Sequence, residues 1–180
     1  MKEKVGHPYT LLPDDMMQIA AGGYADQGTL CGSLGACASI INLVTMDKDK
    51  THTKLAADLI NWYGQQSFPS TKFDAIATYK KQTQTTPNSP LCHVSVSGWM
   101  METGTTYPDK QRKDRCAKVA AEVAYHTVEI LNAYADGSYK PIVAKLSEST
   151  ESCLTCHGES AHDNAKGQMD CLTCHDDHTK

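Results

Sequence analysis

The stretch KDRCAKVAAEVAYHTVEILNAYA, residues 113–135, carries the clearest helical pattern of this sequence. Its small and apolar side chains recur at the three- and four-residue spacing of one α-helical face, at Cys116, Ala120, Val123, Thr127 and Leu131. Gly137 follows at a position typical of a helix C-terminus. The stretch therefore predicts a long helix with one buried face, which other elements must cover.

Shorter segments on either side carry related patterns. Residues 47–63 repeat apolar side chains at helical spacing, and Ser70 is suited to cap a further short helix. Pro141 suits the first turn of another helix. The segment HVSVS, residues 93–97, alternates polar and apolar residues and predicts a strand. Because the pattern is otherwise helical from about residue 14 to residue 146, we predict a mainly α fold.

The composition excludes two classes of partner. The 180 residues have a net charge of -4 and contain no run rich in Lys and Arg, so nucleic acid is not an expected partner. No stretch of about 18 apolar residues is present, so we expect no membrane insertion. The hydrophobic content of 40% is enough for an ordinary core. The eight cysteines are therefore not needed merely to hold a tiny fold together.

The composition changes after Leu146, where Ser, Thr, Glu, Gly, His and Asp predominate. We predict a helical, cysteine-containing domain at residues 1–150 and a short irregular tail at residues 151–180. The tail reads CLTCHGESAHDNAKGQMDCLTCH over residues 153–175, so the letters CLTCH occur twice. This repeat is the strongest chemical signal in the sequence.

Each CLTCH unit places two thiols on one side of a helical turn, with a histidine directly after them. This arrangement suits covalent haem attachment, in which the thiols add to the vinyl groups and the histidine becomes the proximal iron ligand. We therefore predict two haem c groups per chain, held by Cys153, Cys156 and His157 and by Cys171, Cys174 and His175. The competing interpretation is a zinc-ribbon module, because the four cysteines are close to zinc-ribbon spacing. It leaves both histidines without a role.

A six-coordinate haem needs a second axial ligand. The tail offers His162 and His178 as distal candidates, each better placed to serve the neighbouring haem or another subunit than its own; the alternative is that both are surface histidines. His126, between Glu122 and Glu129 on the long helix, is a reserve candidate. The tail has little apolar surface to cover two porphyrins, so we expect the haems to shield one another across a homodimer.

Four further cysteines lie upstream, at Cys31, Cys37, Cys92 and Cys116. Four thiolates can hold an iron-sulfur cluster or a structural zinc, and they can also form two disulfides or remain free. Gly32 and Gly35 between the first pair would let backbone N–H groups approach cluster sulfurs, which favours a cluster.

With these motifs in hand, the chain resembles split-Soret cytochrome c, a family from anaerobic, sulfate-reducing bacteria. Its helical part, through CGSLGACASI at residues 31–40, is also similar to a redox family named for a GCAxxG motif, with Ala36 in place of the first glycine. The resemblance implies a homodimer with two stacked bis-His haems per subunit, in which each iron takes one histidine from the other chain. It also implies a [2Fe-2S] site on the upstream cysteines.

From these observations we expect a periplasmic electron carrier rather than an enzyme, with its signal peptide outside this numbering. The tail is mostly acidic, so we expect it to dock onto a basic patch of a redox partner protein. The rival interpretations are a haem reductase with an open iron site and a zinc-ribbon-like interaction module.

Overall fold

The computed structural model describes residues 2–7, 9–47, 49–140, 146–158 and 167–179. The helices are α1 (Lys2–Val5), α2 (Gly32–Thr45), α3 (Thr51–Gln65), α4 (Cys92–Thr103), α5 (Lys110–Ala135) and α6 (Glu148–His157). Short 3₁₀ segments lie at Tyr9–Leu11, Asp14–Ala20 and Cys171–Thr173. The described ranges contain no β-strand, only two isolated bridges, which confirms the prediction of a mainly α fold.

The core lies where α2, α3 and α5 pack against one another. Its side chains come from all three helices and from one residue after α3; they are Leu34, Ile41, Leu55, Leu59, Tyr63, Phe68, Val119, Val123 and Ile130. Full burial of such a side chain stabilises the fold by about 1.5–3 kcal/mol. Because α5 contacts α2, α3 and α4, it positions the rest of the helical part.

Both ends of α5 are defined by local hydrogen bonds. Asp109 precedes the helix, and its Oδ1 accepts a hydrogen bond of 2.7 Å from the amide of Gln111. At the other end Gly137 has a φ of +70°, and the amide of Ser138 donates to the carbonyl of Ala133 at 2.9 Å. The predicted C-terminal role of Gly137 is therefore confirmed.

The buried face of α5 includes Val123 and Thr127 of the predicted stripe, but at the other stripe positions the buried residue lies one position earlier. Val119 and Ile130 are buried, whereas Ala120 is exposed. The same face also buries Lys118 and Glu122, because each has a polar partner on the segment after α3. Lys118 Nζ lies 2.7 Å from Asp74 Oδ1, and Glu122 Oε1 accepts a hydrogen bond of 2.8 Å from the amide of Ser70. The apolar pattern alone misses such paired charges.

The short helix predicted after Ser70 is absent, and residues 71–76 form turns instead. Within these turns the amides of Asp74 and Ile76 donate to the carbonyls three residues earlier, at 3.1 and 3.2 Å, and the amides that follow donate to carboxylates. The amides of Thr78 and Tyr79 each donate to Asp114 at 3.1 Å. Ile76 lies in these turns and is 83% exposed. That prediction is wrong because contacts with α5 replace local helical bonds.

The strand predicted at residues 93–97 is also wrong, because these residues lie in α4. Buried side chains recur there at Ser95, Val96 and Trp99, which is helical spacing. The alternation of valines was too short to distinguish the two structures. The predicted helix at residues 47–63 is present as α3, shifted by a few residues. At its N-terminus, Asp47 Oδ1 accepts a hydrogen bond of 2.9 Å from the amide of Thr51. The helix expected from Pro141 lies outside the described residues.

None of the helices in the described ranges combines the length and apolarity needed to cross a bilayer.

The packing of α5 can be tested with two valines of the same helix. Val123 is fully buried and Val128 is 54% exposed. We expect Val123→Ala to lower the free energy of unfolding by about 2 kcal/mol, because two buried methyl groups are removed and a cavity remains. Val128→Ala should change it much less. Chemical denaturation followed by circular dichroism measures both, and equal losses would contradict the assignment of the core face.

Candidate functional site

The first CLTCH unit lies at the C-terminal end of α6. Ser147 caps this helix by accepting a hydrogen bond of 3.1 Å from the amide of Thr150, and the helix ends at His157. The second unit begins with a 3₁₀ turn, where Asp170 Oδ1 accepts from the amide of Leu172 at 3.0 Å. Both units therefore take a helical-turn backbone at their cysteines, as the C-x-x-C spacing predicts.

The structure brings the two CLTCH units together around one cavity of about 300 Å³, here called the tail pocket. Its lining includes two cysteines, three histidines and two leucines: Cys153, Cys171, His157, His175, His178, Leu154 and Leu172. The rings of His157 and His178 meet edge to face with centroids 5.9 Å apart. Thiols and imidazoles facing one apolar-lined pocket form the donor set that suits covalently attached haem.

The cysteines of the tail differ in exposure. Cys153 and Cys171 are partly buried, whereas Cys156 and Cys174 are exposed. Partial burial raises the pKa of the Cys153 thiol, and the neighbouring Cys171 raises it further through its charge and a hydrogen bond. Cys156 and Cys174 do not line the tail pocket, so only the first cysteine of each CLTCH unit faces it.

The three candidates for the distal iron ligand lie in different parts of the chain. His178 lies in the tail pocket, and His162 lies outside the described residues. His126 does not line that pocket. Its ring stacks on Trp62 at a centroid distance of 4.1 Å, and its Nδ1 lies 3.0 Å from Glu129 Oε2. The ligand role of all three stays a prediction.

A second cavity, of about 490 Å³, is lined by three of the four upstream cysteines and is here called the cysteine cavity. Cys31 precedes α2, Cys92 begins α4, and Cys116 lies in the second turn of α5. Backbone hydrogen bonds hold the first two together, because the amide of Cys31 donates to Pro90 at 2.9 Å and that of Cys92 donates to Thr29 at 2.7 Å. The fold thus gathers cysteines that are far apart in the sequence.

Cys37 is separated from the other three. It does not line the cysteine cavity, and it packs against the hydrophobic core, as Cys31 also does. Burial raises the pKa of its thiol, while a hydrogen bond with Thr127 acts in the opposite direction. The hypothesis of one site with four cysteine ligands therefore receives no support from this arrangement. A spacing of six residues along a helix places Cys31 and Cys37 on different sides, which is a signal that the sequence already contained.

A strained loop closes one side of the cysteine cavity. Between residues 22 and 28, six of the seven residues have φ values between 53° and 74°, and Tyr24, Ala25 and Asp26 are not glycines. Each such residue costs about 1–2 kcal/mol in the left-handed region. Gly23 lies so close to α4 that a Cβ there would come within 2.6 Å of Cys92 Cβ. Strain of this kind concentrates at functional sites.

The predicted role of Gly32 and Gly35 beside cluster sulfurs stays a prediction, and the structure shows a packing role for both. A Cβ on Gly32 would lie 2.1 Å from the carbonyl oxygen of Ala20, and one on Gly35 would lie 1.9 Å from the hydroxyl oxygen of Tyr24. Both glycines therefore make room for the preceding loop to pack against α2.

The upstream cysteines form no disulfide, because all eight cysteines of the chain are free in the structure. In the described part of the chain, no group of three or more His, Cys, Asp or Glu side chains is close enough to hold one metal ion. This applies to the tail cysteines as well, so the structure lends no support to a zinc ribbon. A cluster of several iron and sulfide ions is wider than one ion, so cysteines spread around a cavity suit it better than zinc.

No sequence pattern indicates the charges beside the cysteine cavity. Arg115 is only 1% exposed, and its Nη2 donates to Ser95 Oγ at 2.9 Å. Its Nε has no hydrogen-bond partner among the described residues. Arg112 also lines the cavity and lies 4.2 Å over the ring of Tyr107. Thiols beside a buried guanidinium whose Nε has no partner among the described residues form a site that suits an anionic metal–thiolate group.

The environment of Cys92 has a measurable consequence. Burial, together with the charges of Cys31 and Cys116, raises the pKa of its thiol to about 11, while Arg115 and Arg112 act in the opposite direction. Folding therefore favours the protonated thiol over its ordinary pKa of 9.0. This contribution to stability is complete below pH 9 and is lost as the pH rises through about 11.

We expect alkylation of Cys92 in metal-free folded protein to rise with an apparent pKa near 11. Iodoacetamide labelling between pH 8 and pH 12, followed by peptide mass spectrometry, measures this rate. The same peptide in denatured protein is the control and should titrate near pH 9. Equal curves in the two states would contradict the burial of this thiol.

Comparisons with known proteins identify relatives of this chain. The family model described as "Putative redox-active protein (C_GCAxxG_C_C)" matches residues 1–130. Split-Soret cytochrome c from Desulfovibrio desulfuricans is 34% identical to this chain over an alignment of 180 positions. The alignment covers 97% of this chain and 64% of that protein. This chain therefore spans less than two thirds of the curated relative.

A solved structure of split-Soret cytochrome c from the same organism, described for a novel iron centre, has a TM-score of 0.85 and 33% identity to this chain. The match covers 98% of this chain and 75% of that one. The order of cysteines in the family description also matches this chain, with one before, one within and two after the GCAxxG motif. Ala36 and Ile41 replace the two glycines of that motif.

Proposed function

Because this chain belongs to the split-Soret cytochrome c family, and its first 130 residues to the C_GCAxxG_C_C family, we propose that it is an electron-transfer protein with two haem c groups. The observation that carries this proposal is the tail pocket, where both CLTCH units and His178 face one cavity. Haem bound there supplies one-electron redox chemistry.

The tail residues have separate roles in this proposal. Cys153 with Cys156, and Cys171 with Cys174, form the thioether links, and His157 and His175 are the proximal iron ligands. His178 is the distal candidate that the structure already places in the pocket. Bis-His ligation leaves no open position on the iron, which favours electron transfer over substrate chemistry.

The cysteine cavity is proposed as the place of an additional iron centre, for which a [2Fe-2S] cluster is the best candidate. Cys31, Cys92 and Cys116 supply the thiolates, and the solved relative is described for a novel iron centre. Cys37 is left out of this ligand set, because it is packed against the core and does not line the cavity.

We further propose that the protein works as a homodimer in the periplasm. Cys156 and Cys174 are exposed, so haems attached to them would present apolar surface to water. A second subunit can cover that surface. The helical part also exposes Ile40, Leu43 and Val44 on α2, which are between 37% and 41% exposed.

A redox partner would meet the acidic side chains of the tail with a basic patch.

Haem attachment and its function can be tested together. We expect the mature protein to carry two covalently bound haems per chain by mass spectrometry. The double variant with Cys153→Ser and Cys156→Ser, and the matching variant with Cys171→Ser and Cys174→Ser, should each lose one of them. The reduced wild-type protein should not bind carbon monoxide, because both irons are six-coordinate. Carbon monoxide binding would contradict an electron carrier and favour the reductase.

The ligand set of the iron centre can be tested with matched serine variants. We expect Cys31→Ser, Cys92→Ser and Cys116→Ser each to remove most of the non-haem iron from protein purified without oxygen. Cys37→Ser should retain it, because this thiol does not face the cavity. Metal analysis, with the haem content as the internal standard, measures this difference. Iron loss in Cys37→Ser alone, or in none of the four, would contradict the assignment.

A further inference from the structure

Two buried cations lie one turn apart on α5, and only one has a counter-ion. Lys118 is 3% exposed, and its Nζ lies 2.7 Å from a carboxylate oxygen of Asp74. Arg115 is 1% exposed, and in the described residues its hydrogen bond goes to the neutral hydroxyl of Ser95. Burying a charge without a counter-ion is costly, so the charge of Arg115 needs an explanation.

The guanidinium of Arg115 lines the cysteine cavity, where its Nε has no partner among the described residues. One carboxylate, Asp26, also lines this cavity, but it is exposed and accepts a hydrogen bond from Tyr107 at 3.2 Å. The other titratable side chains that line this cavity are His93, two tyrosines, the three cysteines and a second cation, Arg112. The negative charge that balances Arg115 must therefore come from thiolates and from what they bind.

We propose that Arg115 is the counter-charge of the metal–thiolate group in the cysteine cavity and raises its reduction potential. This inference rests on the proposed iron centre. One-electron reduction adds a negative charge to such a centre, and a positive charge nearby stabilises the reduced form more than the oxidised form. The effect is large where solvent is excluded, as it is around a side chain that is 1% exposed.

Arg112 provides a matched control for the charge effect. It lines the same cavity from the preceding turn of α5, but it is only half-buried. Its guanidinium stacks on Tyr107 and donates from Nε to the carbonyl of that residue. Water therefore screens Arg112 more than Arg115, and its removal should matter less.

The test uses the complete, haem-loaded protein with Arg115→Gln, Arg115→Lys and Arg112→Gln. Gln keeps a donor for Ser95 without the charge, and Lys keeps the charge. The measurements are non-haem iron per chain and the potential of the iron centre by EPR-monitored titration, with the haem Soret spectrum as a control for folding. We expect Arg115→Gln to lower the potential or lose the iron. Arg115→Lys should retain iron and stay closer to wild type, and Arg112→Gln should shift the potential less than Arg115→Gln.

Several results would overturn the inference. One is an unchanged potential in Arg115→Gln with full iron content, and another is the same loss in the Lys and Gln variants, which would show a structural role. A shift in Arg112→Gln as large as that in Arg115→Gln would also contradict it. The absence of non-haem iron from the wild-type protein would instead defeat the proposed iron centre, and the role of Arg115 with it.

Discussion

The packing of α5 against α2 and α3 is the interaction on which the rest of the structure depends. Val119, Val123 and Ile130 fill the core from this helix, and they fix its rotation about its own axis. Once that rotation is fixed, Lys118 and Glu122 can reach only the 70–81 segment, and Arg115 and Cys116 can face only the cysteine cavity. The apolar contacts thus position charged groups that could not be buried by themselves.

The two cysteine-containing regions are built in different ways. In the tail, short motifs bring cysteine and histidine together within five residues, and two such motifs then share one pocket. In the helical part, three elements and a strained loop each bring one cysteine or a supporting group to the same cavity. The first region therefore depends on local sequence, and the second depends on the complete helical fold.

This difference explains how much the sequence could predict. The long helix, its end at Gly137 and the pairing of the CLTCH units follow from spacing within short stretches, and the structure agrees with them. The local patterns of two segments predicted the wrong structure. Ser95, within residues 93–97, contacts Arg115. The segment that begins at Ser70 contacts Asp114 and Glu122. Likewise, no local pattern marks Arg115 as a neighbour of Cys31 and Cys92. The position of Cys37 outside the cysteine cavity could have been predicted, because its distance from Cys31 along the chain already indicated a different helical face.

The discontinuity of the cysteine cavity has a consequence for the order in which the protein matures. Cys31 and Cys116 belong to opposite ends of the helical domain, so their cavity does not exist until that domain has folded. A CLTCH unit is contiguous, so under the proposed function its modification would not require the folded helical part. Loading of the cavity would instead follow folding and would report correct tertiary structure.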